Sequence, residues 1–452
     1  GLLAALSPAM VFYSRYFIHE MLLVCFTMML VGFGWRYART GCIGCAMPAG
    51  AGLGLMYATK ETFVLNLFAL GLASVVVWFL QGRSMGAEES AASNTAETVG
   101  RAVPARRPCV GSPKAARWDS APHLASGLCG LFHGLTSKLR PHLKPALAGL
   151  AVAAVVSLLL FTSFFTNLAG PLDSIRTYLP WLHRAGGHSP HIHPWNFYLE
   201  RLAFFHPARS PVWSEGLILV LAVVGMAAAF TRQGLAAGAS PALARFLSVY
   251  TLVLTVVYSA ISYKTPWCLL NFLLGMVMLA GIGAVALLRW VKFRALQGTV
   301  LCALLAGAGH LGWQAWRATH ASEADRPNPY VYAHTSANLL ELIQKVNAIA
   351  AAHPEKNRLP LKVITKESYW PLPWYLRQFK QTGWYDQMPA DPYAPIVIAG
   401  ASFGAELDEK SKKAWLMPGL FELRPGVFLE LYVQFDLWKK YVESRPPPKE
   451  DE

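Results

Sequence analysis

Charge is what this sequence has least of. Lys, Arg, Asp and Glu make up 15% of its 452 residues, whereas soluble globular domains carry about 25%. With 54% hydrophobic residues the chain is too apolar for an ordinary water-soluble fold, and its class is membrane protein. Cysteine is scarce as well. The seven cysteines, Cys25, Cys42, Cys45, Cys109, Cys129, Cys268 and Cys302, sit in apolar segments or one basic loop, and the last third has none, so no disulfide framework is implied. Cys42 and Cys45 form a lone CxxC inside an apolar run and read as packed small side chains rather than as a metal or redox pair. Residues 1–14 lack an initiator Met and a basic n-region, so they are not read as a signal peptide, and they are too short to cross a bilayer. The chain is therefore expected to begin inside a helix, with membrane segments missing upstream. Acidic residues are outnumbered, 26 against 40 Lys and Arg, for a net charge of +14. No basic face with interleaved aromatics accompanies that excess, so nucleic acid is not an expected partner.

What the sequence has is apolar runs near the 20 or so residues that span hydrocarbon. They lie around 18–35, 42–58, 63–80, 146–168, 214–230, 246–262, 266–288 and 297–316, eight expected helices of which 42–58 is rich in Gly. Lys and Arg cluster in alternate connections: Arg36 and Arg39; nine residues between Arg83 and Lys144; Arg232 and Arg245; and Arg289, Lys292 and Arg294. By the positive-inside rule these clusters are cytoplasmic. Loop 81–145, rich in Ala, Ser, Pro and Gly, reads as a largely disordered cytoplasmic connection. The other side then receives residues 1–20, the turn at Lys60–Glu61, loop 169–213, the turn at Lys264 and everything after about residue 318. From 319 to 452 the composition changes: 359–365, 394–400 and 426–435 read as strands and 338–352 as a helix. The expected architecture is a polytopic α-helical membrane domain over 1–318, N-terminally incomplete, followed by a soluble, extracytoplasmic α/β domain over 319–452.

Four constellations could carry chemistry. In SPAMVFYSRYFIHE, Arg15, His19 and Glu20 lie where ionisable groups need a cavity or a partner; they read equally well as a functional site and as an interfacial Arg15–Glu20 pair ending a helix. In HSPHIHPWNFYLERL, His188, His191 and His193 with Glu200 make a weak metal signature, and Trp195 and Tyr198 suit an aromatic belt at the interface. In SAISYKTPWCLLNF, Lys264 interrupts an apolar stretch, where a cation snorkels to the interface or meets an anion such as a lipid phosphate. In the tail, Trp370, Trp374, Trp384 and Tyr385 read as core residues, with stacking on sugar rings as the alternative.

In order and spacing the first three segments resemble membrane glycosyltransferases of the GT-C superfamily, above all the branch of protein O-mannosyltransferases and lipid A aminoarabinose transferases. The likeness rests on Ser7, Pro8, Arg15 and Glu20, then His193, Pro194, Trp195, Phe197, Tyr198 and Leu199, then Lys264 and Pro266. Glu20 stands where many relatives carry Asp, and Cys268 and Asn271 replace a Tyr and a second Pro. Through TKETF, PWNFYLERL, YKTPW, NPYVYAHTS and YWPLPWYLR the chain is also similar, over nearly its whole length, to the flippase activity-associated proteins. The resemblance implies a multi-pass protein of a prokaryotic inner or plasma membrane that transfers sugar from a polyprenyl-phosphate donor to a glycan, lipid or protein acceptor. It gives Lys264 and Arg15 to the donor phosphate and Glu20 and His19 to a divalent metal ion or the orientation of that phosphate. His191, His193, Trp195 and Tyr198 form the substrate loop, and the tail aromatics are acceptor contacts. The catalytic carboxylate of such enzymes lies in a first outer loop, expected upstream of Gly1. The alternative is a non-catalytic partner of a lipid-linked oligosaccharide flippase. A transporter would show repeated halves with broken helices, and none is visible.

The alternating basic clusters predict the topology directly. Single cysteines introduced near Ser90 and Glu409 are expected to react from opposite sides of the membrane, and labelling of both from one side would overturn the orientation.

Overall fold

A computed structural model describes the backbone of residues 1–100, 124–180, 191–207 and 210–445, and the side chains of 1–81, 143–180, 191–207 and 210–445. Two compact units result. One comprises 1–205 and 212–316; the other comprises 206–211 and 317–452. The boundary falls two residues from the one the composition suggests.

The first unit is helical. Its elements are α1 (Leu2–Leu6), α2 (Pro8–Ser14), α3 (His19–Thr40), α4 (Ile43–Thr59), α5 (Phe63–Gly100), α6 (Leu124–Phe161), α7 (Gly170–Arg176), α8 (Phe197–Ala203), α9 (Gly216–Thr231), α10 (Pro241–Ala260), α11 (Leu270–Trp290) and α12 (Arg294–Trp316). Among the described residues, six stretches are long and apolar enough to cross a membrane: His19–Thr40, Phe63–Gln81, Leu143–Phe161, Pro241–Ala260, Pro266–Trp290 and Arg294–Ala321. The other two apolar runs form the shorter helices α4 and α9. Residues 101–123, the centre of the stretch read as a disordered loop, lie outside the described residues, and on either side the backbone is helical through Gly100 and again from Leu124.

Local chemistry sets the helix ends. Ser7 caps α2 by accepting from the Met10 N–H, with Pro8 at the first helical position, and Ser240 and Pro241 start α10 in the same way. Gly41, at φ +64°, closes α3 in the left-handed conformation that glycine adopts without steric cost. Small residues then let helices touch backbone to backbone. A Cβ on Gly50 would stand 1.9 Å from the Gly149 carbonyl oxygen, so α4 and α6 pack only because both positions lack side chains. Gly225 of α9 faces the Leu279 carbonyl of α11 at 2.0 Å on the same measure. The Gly-rich composition of 42–58 is thus a close-packing surface, and α11 is the most buried of the spans.

The second unit carries a five-stranded sheet of β1 (Leu361–Ile364), β2 (Thr382–Tyr385), β3 (Ile396–Gly400), β4 (Trp415–Arg424) and β5 (Val427–Gln434), in the order β2-β1-β3-β5-β4. β1 pairs in parallel with β2 and β3, while β5 pairs antiparallel with β3 and β4. Every residue of β3 is buried, as expected of a central strand. Helix α13 (Asn338–Ala351) lays Leu339, Leu342, Ile343, Val346, Ile349 and Ala350 on the core, a helical 3-4 spacing. The short helices α14 (Leu372–Tyr375), α15 (Leu407–Lys410) and α16 (Phe435–Glu443) complete the unit.

His334 tests this packing. Burial pushes its imidazole down to about 4, from an unfolded value of about 6.5. Below that unfolded value the unfolded chain takes up a proton that the folded unit refuses, so stability is lost as pH falls from about 6.5 to about 4. Residues 317–445 produced alone are expected to melt cooperatively, with a midpoint that drops across that window and a slope that His334→Gln flattens. A pH-independent midpoint in the unsubstituted unit would contradict the buried neutral imidazole.

Candidate functional site

Three segments distant in sequence meet at one end of the helical unit. The first turn of α3 brings Glu20, the α4–α5 turn brings Lys60, Glu61 and Thr62, and the end of α10 with the 3-10 turn Pro266–Leu269 brings Tyr258, Tyr263, Thr265, Trp267 and Cys268. Between the last two lies a cavity of about 230 Å³. Glu20 is 2% exposed, and its carboxylate accepts the Lys60 ammonium. Glu20 lies in the first turn of α3, at the positive end of the helix dipole. The Cys268 Sγ lies 4.0 Å from Glu20 Oε1 and 3.2 Å from Thr265 Oγ1. Tyr178 donates to the Glu61 carbonyl at 3.1 Å, fixing the turn from the far side.

The Arg15–Glu20 ion pair envisaged from sequence is therefore corrected: the partner of Glu20 is Lys60, 40 residues away. Arg15 and His19 are exposed and are not among the residues lining the cavity. Arg15 is the nearer cation in the chain, but it is the α4–α5 turn that brings an ammonium to Glu20.

The second and third motifs pair with each other. His193 N–H donates to the Ser262 carbonyl at 3.1 Å and Lys264 N–H to the His191 carbonyl at 2.8 Å, an antiparallel bridge centred on Ile192 and Tyr263. Lys264 is 1% exposed and its ammonium donates to the Ile261 carbonyl at the end of α10. It sits at the negative end of a helix dipole, and burial pulls its pKa down. Beside it, the His193 ring stacks on Phe197 with centroids 4.1 Å apart, and the Arg201 guanidinium lies 3.5 Å above the same ring. Burial lowers the His193 pKa, and the charges of Arg201, His191 and Lys264 add to the effect. Burial likewise brings Arg201 down to about 10. His191 packs edge-on to Tyr263 with centroids 5.0 Å apart, Tyr198 is buried and Trp195 is exposed. His188 lies outside the described residues.

Two buried polar clusters escaped the sequence reading. Glu215, fully buried, accepts from Ser7 Oγ at 2.6 Å and from the Ala9 N–H at 2.9 Å, so the Ser-Pro pair anchors α2 to the start of α9. Asn66 links Tyr250, which donates to it at 2.8 Å, to Asn271, which accepts from it at 3.2 Å, tying α5, α10 and α11 inside the apolar bundle. A lone carboxylate or amide inside an apolar run was the available signal. In the second unit the four aromatics divide. Trp384 packs on the main core and against Tyr369, Tyr385 packs on a second cluster, and Trp370 and Trp374 are each 62% exposed, the latter under the Arg377 guanidinium at 4.3 Å.

Among the described residues no group of three His, Cys, Asp or Glu side chains is arranged to hold a metal ion. Glu20, the carboxylate expected to serve a divalent ion, is engaged by the Lys60 ammonium. Compared with models of known families and with curated proteins, the chain matches none.

The ion pair generates a stability prediction. Removing one partner of a buried pair costs roughly 3–5 kcal/mol, because the other charge is left uncompensated. Glu20→Gln and Lys60→Met are each expected to lower the thermal midpoint in detergent, and the double variant to lose much less than the two losses combined. Strict additivity would mean that the two side chains do not meet.

Proposed function

We propose that the chain is a membrane glycosyltransferase that moves a sugar from a polyprenyl-phosphate donor to an acceptor on the extracytoplasmic side. The supporting observation is the cavity itself: a cation, hydroxyls, a carboxylate and aromatic rings gathered at the end of apolar helices. Each type has a use. Lys60 and Thr62 offer donors to a phosphate, Trp267 and Tyr263 offer ring faces to a sugar, and the helices meet the lipid chain. Lys264 and Arg201 add positive charge behind the wall, with Arg15 and His19 exposed at the same end of α3. In this reading Lys264 holds the Tyr263–Thr265 strand in place by its bond to Ile261, and Lys60 takes the contact with the phosphate.

Glu61 is the carboxylate on the cavity wall and would serve as general base. The acceptor hydroxyl gives its proton to Glu61 as its oxygen bonds to the anomeric carbon. The bond from that carbon to phosphate oxygen breaks, and polyprenyl phosphate departs with its negative charge facing Lys60. The exposed Trp370 and Trp374 would bind a glycan acceptor.

In proteoliposomes supplied with labelled polyprenyl-phosphate sugars, the full-length protein is expected to transfer label to an acceptor. Glu61→Gln should slow transfer about 10²–10⁴-fold, the usual yield of a positioned base, with the donor still bound; Lys60→Ala should weaken donor binding. If no donor supports transfer while cells still need the protein to move lipid-linked oligosaccharide across the membrane, the non-catalytic flippase partner becomes the better account.

A further inference from the structure

The segment after α6 exposes more apolar surface than any connection between helices needs. Phe164 is 70% exposed, Phe165 67%, Leu168 79%, Leu172 50%, Ile175 62% and Leu179 63%. Within it, α7 and the residues just after it put Leu172, Ile175 and Leu179 at a 3-4 spacing, which is one helix face. Gly170 and Ser174 occupy the opposite face and are buried. Asp173 and Arg176, paired at 3.2 Å, lie to the side.

The buried face is firmly attached. A Cβ on Gly170 would stand 1.8 Å from the Phe161 carbonyl oxygen, so α7 begins hard against the end of α6. Ser174 shares a hydrogen bond with Tyr57 at 2.8 Å, and Tyr178 donates to the Glu61 carbonyl at 3.1 Å. The exposed face is continuous with that of α6, where Leu147, Leu150, Val155 and Leu158 are 49–57% exposed along a stretch apolar enough to cross a membrane. Between the two, Ser163, Phe164 and Phe165 hold φ of +48°, +57° and +68°, a left-handed turn of three non-glycine residues that redirects the chain at the end of the span.

We propose that residues 164–179 form an in-plane membrane anchor, with the lipid surface as the partner of the Leu172–Ile175–Leu179 face. A helix with one apolar and one polar face, leaving a spanning helix at its end, lies at the headgroup boundary with its apolar side in the acyl region. Arg176 and Asp173 then sit at headgroup level. The anchor's other side holds the Lys60–Glu61 turn, so lipid seating and the wall of the cavity are mechanically joined through Tyr178 and Ser174. The inference rests on the membrane reading of the helices and is independent of sugar transfer: loss of transfer in any variant leaves it standing.

The full chain in lipid nanodiscs tests it. Leu172→Cys, Ile175→Cys, Leu179→Cys and Asp173→Cys are each labelled with an environment-sensitive fluorophore, with the unsubstituted protein labelled in parallel as background. The first three probes are expected to emit at shorter wavelength than the Asp173 probe, to lose fluorescence to lipids carrying a nitroxide near the headgroup, and to resist aqueous iodide. The Asp173 probe should respond chiefly to iodide. Iodide quenching of all four alike would put the face in water and overturn the proposal. Shielding of the first three from both quenchers would put protein over the face and overturn it equally.

Discussion

A carboxylate buried among apolar helices and met by the half-buried Lys60 ammonium is the constraint around which the first unit is arranged. Two charges taken out of water cost several kcal/mol each unless they meet in good geometry, and the Glu20–Lys60 pair meets only if α3, α4 and the α4–α5 turn adopt one arrangement. The first turn of α3 lowers that cost further by placing Glu20 where peptide dipoles favour an anion. Thr265 and Cys268 close the remaining side, which draws in the start of α11. The cavity lies beside the pair, with Lys60 on its wall.

The same logic recurs at neighbouring positions with other chemistry. Glu215 receives two donors from the Ser7–Ala9 segment, and Asn66 ties α5 to α10 and α11. Lys264 is satisfied by a helix-end carbonyl rather than by a carboxylate. Each of these polar groups meets a particular partner, and an unsatisfied polar atom in an apolar surrounding is costly. Glycine contacts such as Gly50 with Gly149 bring α4 and α6 together backbone to backbone.

Apolar length was the most legible property of the sequence, since it depends only on composition along the chain. All eight apolar runs are helices, six of them long enough to cross a membrane. The strands 361–364, 396–400 and 427–434 were also legible because they are short β-branched runs, but β2 and β4 were not. β2 is the half-exposed TGWY, which reads as part of an aromatic cluster, and β4 contains Pro418 and Gly419 at a break in its register with β5. At the candidate site the residue types and motif order were legible, and the partnerships were not. Arg15 is five residues from Glu20 and Lys60 is forty, so only folding shows which cation arrives. The tail tryptophans carry the same lesson, because Trp384 and Trp370 belong to one aromatic-rich segment and one is packed while the other faces solvent.

The pairing of 191–193 with 262–264 adds a further step. Lys264 is buried next to the bridge that Ile192 and Tyr263 make between the two segments. That bridge places His191, His193, Arg201 and Lys264 in one region, where their mutual repulsion depresses His193 beyond what burial alone does. A fold that gathers cations against their repulsion is stabilised by whatever anion arrives, since binding removes the cost that assembly imposed. The loop bridge and the cavity share one short segment: Tyr263, which pairs with Ile192, and Thr265 both line the cavity.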